Sequence, residues 1–234
     1  MTKQTILAIG AHPDDVEIGM GGTIASHTAA RDTVYICNLT KAELSSNGTV
    51  EKRQNEASDA AAILQVAKRY QLSFPDRGLS KDHTDYRALI QLIRELKPDV
   101  IFAPYEIDRH PDHGQCGQLV REALFDAGIR RYPDIEVPAH KTPSFYYYFV
   151  NGFHQPDFYV DISRWQTDKE KALLCYQSQF VKDKNSVETP LTNGYIERVR
   201  SRDVLFGREA GVQAAEGFKV DAPFVFSSIP QRRS

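Results

Sequence analysis

Through its first 127 residues the chain alternates short apolar, β-branched runs with stretches of helical period, and this constrains the fold more than any other feature. "TILAIGA" (5–11), "TVYICNLT" (33–40), "RYQLSF" (69–74) and "DVIFAPY" (99–105) read as strands. Helical patterns fall between and after them, at about 21–30, 50–66, 86–96 and 113–127, with Pro98 stopping the third. Strands that alternate with helices feed a mostly parallel sheet covered on both faces, a Rossmann-like α/β architecture. The second half is less regular. "SFYYYFV" (144–150) and "FYVDIS" (158–163) read as further strands, with helices near 167–177 and 192–206 and polar loops at 40–49 and 180–194. No repeat or break in composition divides the 234 residues, so one domain over 1–234 is expected, with a loose tail at 227–234.

Several classes are disfavoured before any motif is considered. Lys and Arg (29) nearly balance Asp and Glu (31), for a net charge of −2, so there is no electrostatic footprint for nucleic acid. No apolar run approaches the roughly 20 residues of a membrane span. The opening "MTKQTILAIGAH" enters a strand directly, without a secretory leader. Cys37, Cys116 and Cys175 are scattered and form no CxxC pair, which argues against a disulfide framework and fits a reducing cytoplasm.

Two polar clusters follow apolar strands directly: His12-Pro13-Asp14-Asp15 after the first and His110-Pro111-Asp112-His113 after the fourth. Parallel sheets bind ligands beyond the carboxyl ends of their strands, so both clusters belong on one rim. His12 and Asp15, three residues apart, share one side of a turn, and His113 completes a set of two imidazoles and one carboxylate. That set suits Zn²⁺ with a position left open; Fe²⁺ accepts the same donors, so the metal stays open between the two. Asp14 is then free to act as general base on water, and His110 to stabilise an oxyanion and protonate a leaving group, with Asp112 orienting it or raising its pKa. "GMGG" (19–22) fits neither common phosphate-loop pattern and reads as close packing at a helix start.

"AHPDDVEIGMGG" together with "RHPDHG" resembles the LmbE-like (PIG-L) superfamily of zinc-dependent N-acetylglucosamine deacetylases. The similarity continues through "TKAELSSNGTVEKRQNEA", "PLTNGYIE" and "GREAGVQAAEGF". The looser similarity is strongest to the branch that deacetylates N-acetylglucosaminyl malate in bacillithiol biosynthesis. The resemblance implies an LmbE-like deacetylase fold, zinc on His12, Asp15 and His113, Asp14 as base and His110 as oxyanion-stabilising acid. It implies substrate binding by Arg53; beside it, Arg109, next to His110, is read as meeting the malate carboxylates and Tyr195, in "TNGYIE", as polarising the acetyl carbonyl. It further implies a small N-acetylated amino sugar as partner and a homo-oligomer, trimer or hexamer. The family commonly writes HPDDE; here Val16 intervenes, and Glu17 is read as structural, supporting the loop or pairing with an arginine. The alternatives are a deacetylase of another N-acetyl sugar, such as N-acetylglucosamine or chitobiose, a metal-dependent phosphoesterase, and a non-catalytic nucleotide-binding module.

Overall fold

The computed structural model describes residues 3–182, 184 and 186–228. The tail expected at 227–234 therefore lies, from 229 onward, outside the described residues. Seven strands, β1 (Thr5–Gly10), β2 (Thr33–Asn38), β3 (Lys68–Gln71), β4 (Val100–Pro104), β5 (Ser144–Tyr148), β6 (Phe158–Asp161) and β7 (Ala215–Val220), form one sheet in the order β3-β2-β1-β4-β5-β7-β6. The first five run parallel, and β7 pairs antiparallel with β5 and β6. The helices are α1 (Asp15–Ala29), α2 (Val50–Ile63), α3 (Thr84–Leu96), α4 (Pro111–Ala127), α5 (Gln166–Cys175), α6 (Gln177–Phe180) and α7 (Tyr195–Ala210). Among the described residues no helix is long and apolar enough to cross a membrane.

β1 shows why the alternation reads as a covered sheet. Its side chains point to opposite faces in turn: Ile6 and Ala8 pack with α1, α2, α5 and α7, while Leu7 and Ile9 pack with α3 and α4. Both faces are apolar because both are buried. From β1 the chain winds outward to β2 and β3, then returns on the other side at β4. The switch point thus falls between the ends of β1 and β4, below both histidine motifs.

Two elements depart from the sequence expectation. Helix α1 starts at Asp15, six residues before the expected Gly21, and is interrupted at Met20 (φ −149°, ψ 23°). Gly19, Gly21 and Gly22 weaken the helical pattern, but Gly19 and Gly22 are needed for packing. A Cβ on Gly19 would lie 2.0 Å from Tyr148 Cδ2, and one on Gly22 would lie 2.8 Å from Ile162. Strand β7 was not anticipated, because Glu216 and Gly217 interrupt its apolar run. Glu216 is nevertheless buried, and its carboxylate accepts from the backbone N–H groups of Gly22 (3.0 Å) and Thr23 (2.7 Å), re-capping α1 beyond the kink. Lys169 Nζ balances the charge, 2.7 Å from both Glu216 and Asp203.

This buried triad generates a prediction. Among the described residues, Lys169→Met leaves Glu216 without its ion-pair partner and Asp203 with only Arg202 at 3.9 Å, and should lower stability by about 3–5 kcal/mol in urea unfolding. A loss below about 1 kcal/mol would show that the triad does not support the kink.

Candidate active site

Between the end of β1 at Gly10 and the start of α1 at Asp15 the chain must turn sharply. Asp14 takes the strain, with φ 106°, a left-handed value unusual outside glycine. Arg53, from the first turns of α2, pins the turn. Its Nε and Nη2 donate to Pro13 O (3.1 and 2.6 Å), and Nη2 also donates to Asp14 Oδ2 (2.7 Å). Asp14 and Asp15, adjacent in sequence, therefore face different partners. Across the switch point, His110 is the N-cap of α4, its Nδ1 accepting from the backbone N–H of Asp112 at 3.3 Å. Gly117 lets α4 sit against the exit of β4, since a Cβ there would lie 2.3 Å from Pro104 O.

Asp15 now bridges the two motifs. Its Oδ1 lies 3.1 Å from His113 Nε2 and its Oδ2 3.5 Å from His12 Nδ1. Donors on a tetrahedral ion at 2.0–2.1 Å are about 3.3 Å apart, and the site gathers donors on that scale: ligand atoms of His12, His110 and His113 lie within 4.8 Å of one another, as do those of His12, Asp76 and Asp112. The second nitrogen of each imidazole is also held. His12 Nε2 faces Asp76 Oδ1 (3.3 Å) and Asp112 Oδ2 (3.5 Å), and His113 Nδ1 faces Asp108 Oδ1 (3.0 Å). Carboxylates behind metal-binding histidines commonly fix the tautomer in this way. His110 stands close by, its ring stacked 4.8 Å from His113, but its Nδ1 is committed to the helix cap, leaving only Nε2 for the site. Cys116 is packed in the core between the sheet and α3–α4, away from these donors.

The electrostatics call for positive charge. Burial opposes charging His113, yet Asp15 and Asp108 hold it up at about 9. Burial likewise opposes charging His12, but Asp112, Asp15 and Asp76 raise it well above the usual imidazole value. Against burial, the charges of His113 and His12 hold Asp15 well below the carboxylate range. Asp14 moves the other way: burial, opposed by Arg53 and reinforced by Asp15, pushes it up to about 6. Burial, and then the charges on His12 and His113, pull His110 down.

The remaining expected residues are placed unevenly. Arg53 is buried and committed to Pro13 and Asp14. The Asp112 carboxylate faces His12 and Arg77, whose Nη1 donates to Oδ1 at 2.7 Å, and not the ring of His110. Tyr195 donates to Asn151 Oδ1 at 2.9 Å, with Val150 O at 3.2 Å. Arg109 is exposed at the cavity rim and forms no ion pair among the described residues. Among the described residues Glu17 pairs with no arginine; Tyr176 OH donates to it at 2.9 Å, and burial pushes its carboxyl up to about 7. Sequence reasoning missed Asp76, Arg77, Asp108 and Asn151. Asp76 follows β3 and Asn151 follows β5, so the strand-end rule that found the histidine motifs also reaches them.

These groups open into a cavity of about 520 Å³, bounded by Leu44, Asn47, Gln179, Pro190 and Leu191. The two polar loops expected at 40–49 and 180–194 meet here. Asn47 Nδ2 donates to Val187 O (2.9 Å), and Val187 N donates back to Asn47 Oδ1 (2.8 Å). A cleft of about 430 Å³ adjoins the cavity, sharing Arg109, Val150, Asn151, Pro190 and Tyr195 with it.

Comparison with known proteins agrees with this picture. The family described as GlcNAc-PI de-N-acetylase (PIG-L) matches residues 7–124. The solved structure of the conserved protein TT1542 from Thermus thermophilus superposes with a TM-score of 0.87 at 36% identity, covering 99% of this chain and 100% of that one. Diacetylchitobiose deacetylase of Thermococcus kodakarensis is 29% identical over 238 residues, 96% of this chain and 85% of that protein. The probable N-acetyl-α-D-glucosaminyl L-malate deacetylase 2 of Bacillus subtilis is also 29% identical, but over 53% of this chain and 62% of its own length. The bacillithiol branch expected from the sequence is thus not singled out. With the motif-bearing half matched and a cation-seeking cluster of histidines and aspartates at its switch point, the chain belongs to the GlcNAc-PI de-N-acetylase (PIG-L) family and is a metal-dependent amidohydrolase.

Proposed function

We propose that the protein removes acetyl from the amino group of an N-acetylglucosamine-type sugar, with Zn²⁺ held by His12, Asp15 and His113. The observation that carries this reading is the divergence of the two aspartates. Asp15 faces both imidazoles, while Asp14 is turned by its left-handed backbone onto Arg53 and lines the same cavity. When bound, the metal supplies Lewis acidity, which makes water nucleophilic near neutral pH. Arg53 occupies Oδ2 of Asp14, and Oδ1 accepts no hydrogen bond among the described residues. Through that oxygen Asp14 takes a proton as the water oxygen adds to the acetamide carbon. His110, its Nδ1 used as an acceptor by the helix cap, carries its proton on Nε2 when neutral and keeps it there, hydrogen-bonding the developing oxyanion until the carbonyl re-forms. The C–N bond then breaks, and Asp14 returns its proton to the departing amine. The products are acetate and the free amino sugar.

The full-length similarity to the diacetylchitobiose deacetylase supports a chitobiose-type substrate, and a cavity of about 520 Å³ has room for more than one sugar ring. A second reading, an anionic aglycone such as malate, is favoured by the adjoining cleft. Arg109, Arg198 and Arg202 line it, and no carboxylate among the described residues does. Two of these are partly committed: Arg202 donates to Val150 O and Ile18 O, and Arg198 to Pro190 O and Asn193 O. Arg109 is left to meet the anion.

Incubation with N,N′-diacetylchitobiose should release free amine, and a chelator should abolish the release; phosphate release from model esters instead would overturn the deacetylase reading. Arg109→Ala should leave kcat/KM for chitobiose within about twofold; if N-acetylglucosaminyl malate is turned over, the variant should raise its KM by about tenfold or more. Asp14→Asn should lower kcat by about 10²–10⁴-fold while metal content stays stoichiometric in elemental analysis. His12→Ala should lose the metal itself. Full activity in Asp14→Asn would remove that residue from proton transfer.

A further inference from the structure

Tyr195 is expected from the sequence at the substrate carbonyl, but its hydroxyl is turned elsewhere. It donates to Asn151 Oδ1 at 2.9 Å. Asn151 in turn holds Asp108 at two points: Nδ2 donates to Oδ1 (3.0 Å) and the backbone N–H to Oδ2 (2.9 Å). The backbone N–H of His110 adds a further bond to Asp108 Oδ1 at 2.8 Å. That same oxygen faces His113 Nδ1 at 3.0 Å, so the opposite nitrogen, Nε2, points at Asp15. Asp108, Asn151 and Tyr195 have little exposed side chain, so water competes weakly for these bonds.

We infer that Tyr195 is a positioning residue for the metal centre, acting through Asn151 and Asp108 on His113, and does not polarise the substrate carbonyl. Each link has a defined task. Asp108 accepts from His113 Nδ1–H and leaves Nε2 unprotonated as a ligand. Asn151 uses its amide NH₂ and its backbone N–H to keep Asp108 from rotating. Tyr195 fixes the direction of that amide, because its hydroxyl takes the carbonyl oxygen and leaves the NH₂ for Asp108. The relay starts where α7 begins, next to the loop carrying Pro190 and Leu191, so a wall of the substrate cavity is joined to a metal ligand.

The inference rests on His12, Asp15 and His113 holding the metal, and its first readout, Zn²⁺ affinity, needs no substrate. Zn²⁺ dissociation constants, from competition with a chromophoric chelator, are compared for the intact protein, Asp108→Asn, Asn151→Ala, Tyr195→Phe and the Asn151→Ala/Tyr195→Phe double variant. Asp108→Asn should weaken Zn²⁺ about 10–100-fold, and Asn151→Ala and Tyr195→Phe by smaller factors of about 3–10. The double variant should be no weaker than Asn151→Ala alone, since the relay is already cut. Asp108→Asn and Tyr195→Phe are near-isosteric, and their thermal unfolding in the presence of Zn²⁺ guards against misfolding as the cause. A Tyr195→Phe protein that binds Zn²⁺ as tightly as the original but loses kcat would overturn the relay and return Tyr195 to the carbonyl. Additive losses in the double variant would also overturn it. Absence of a tight Zn²⁺ site in the intact protein would overturn the metal assignment, and the relay with it.

Discussion

The site depends on one guanidinium. Two neighbouring carboxylates at the buried start of a helix would repel each other, and the left-handed turn at Asp14 adds backbone strain. Arg53 answers both costs. Its hydrogen bonds to Pro13 O hold the turn, and its charge faces Asp14 and leaves Asp15 to the imidazoles. The structure therefore gives Arg53 a role in aiming the proposed base. Glu56, one turn further along α2, plays no part in this and accepts from the backbone N–H and the hydroxyl of Ser178.

What the sequence made legible follows from what burial writes into it. β1, β2 and β4 run through the middle of the sheet under helices on both faces, and a short continuous apolar run bounded by polar turns fits little else. Strand identity and the shared rim could therefore be read directly. The juxtaposition of His12, Asp15 and His113 followed from that rim and from the three-residue spacing within the first motif. β7 was not legible, because Glu216 uses its polarity on a helix interruption that no local pattern announces. The roles of Asp112, Asp108 and Tyr195 depend on which way each side chain turns. Asp112 lies two residues from His110 in sequence but turns to His12 and Arg77.

The division of labour between the two ends of α1 bears on catalysis. Asp15, which faces the two imidazoles, sits on its first turn, while the helix beyond Met20 is held by Glu216 of β7, itself paired with Lys169 of α5. A continuous helix would tie the direction of Asp15 to the packing of the later turns. The interruption separates them, so the front of α1 can follow the geometry of the site while the rear follows the core.

The clasp between Asn47 and Val187 has a consequence for how this scaffold diversifies. Both segments bounding the sugar cavity are irregular, and one amide side chain stitches them edge to edge. Lengthening or exchanging either segment alone breaks this stitch, and leaves 40–49 held from Asp76, Gln179 and Arg53 and 190–193 from Arg198. Transplanting the two segments as a matched pair keeps this mutual bond, which exchanging one of them alone gives up.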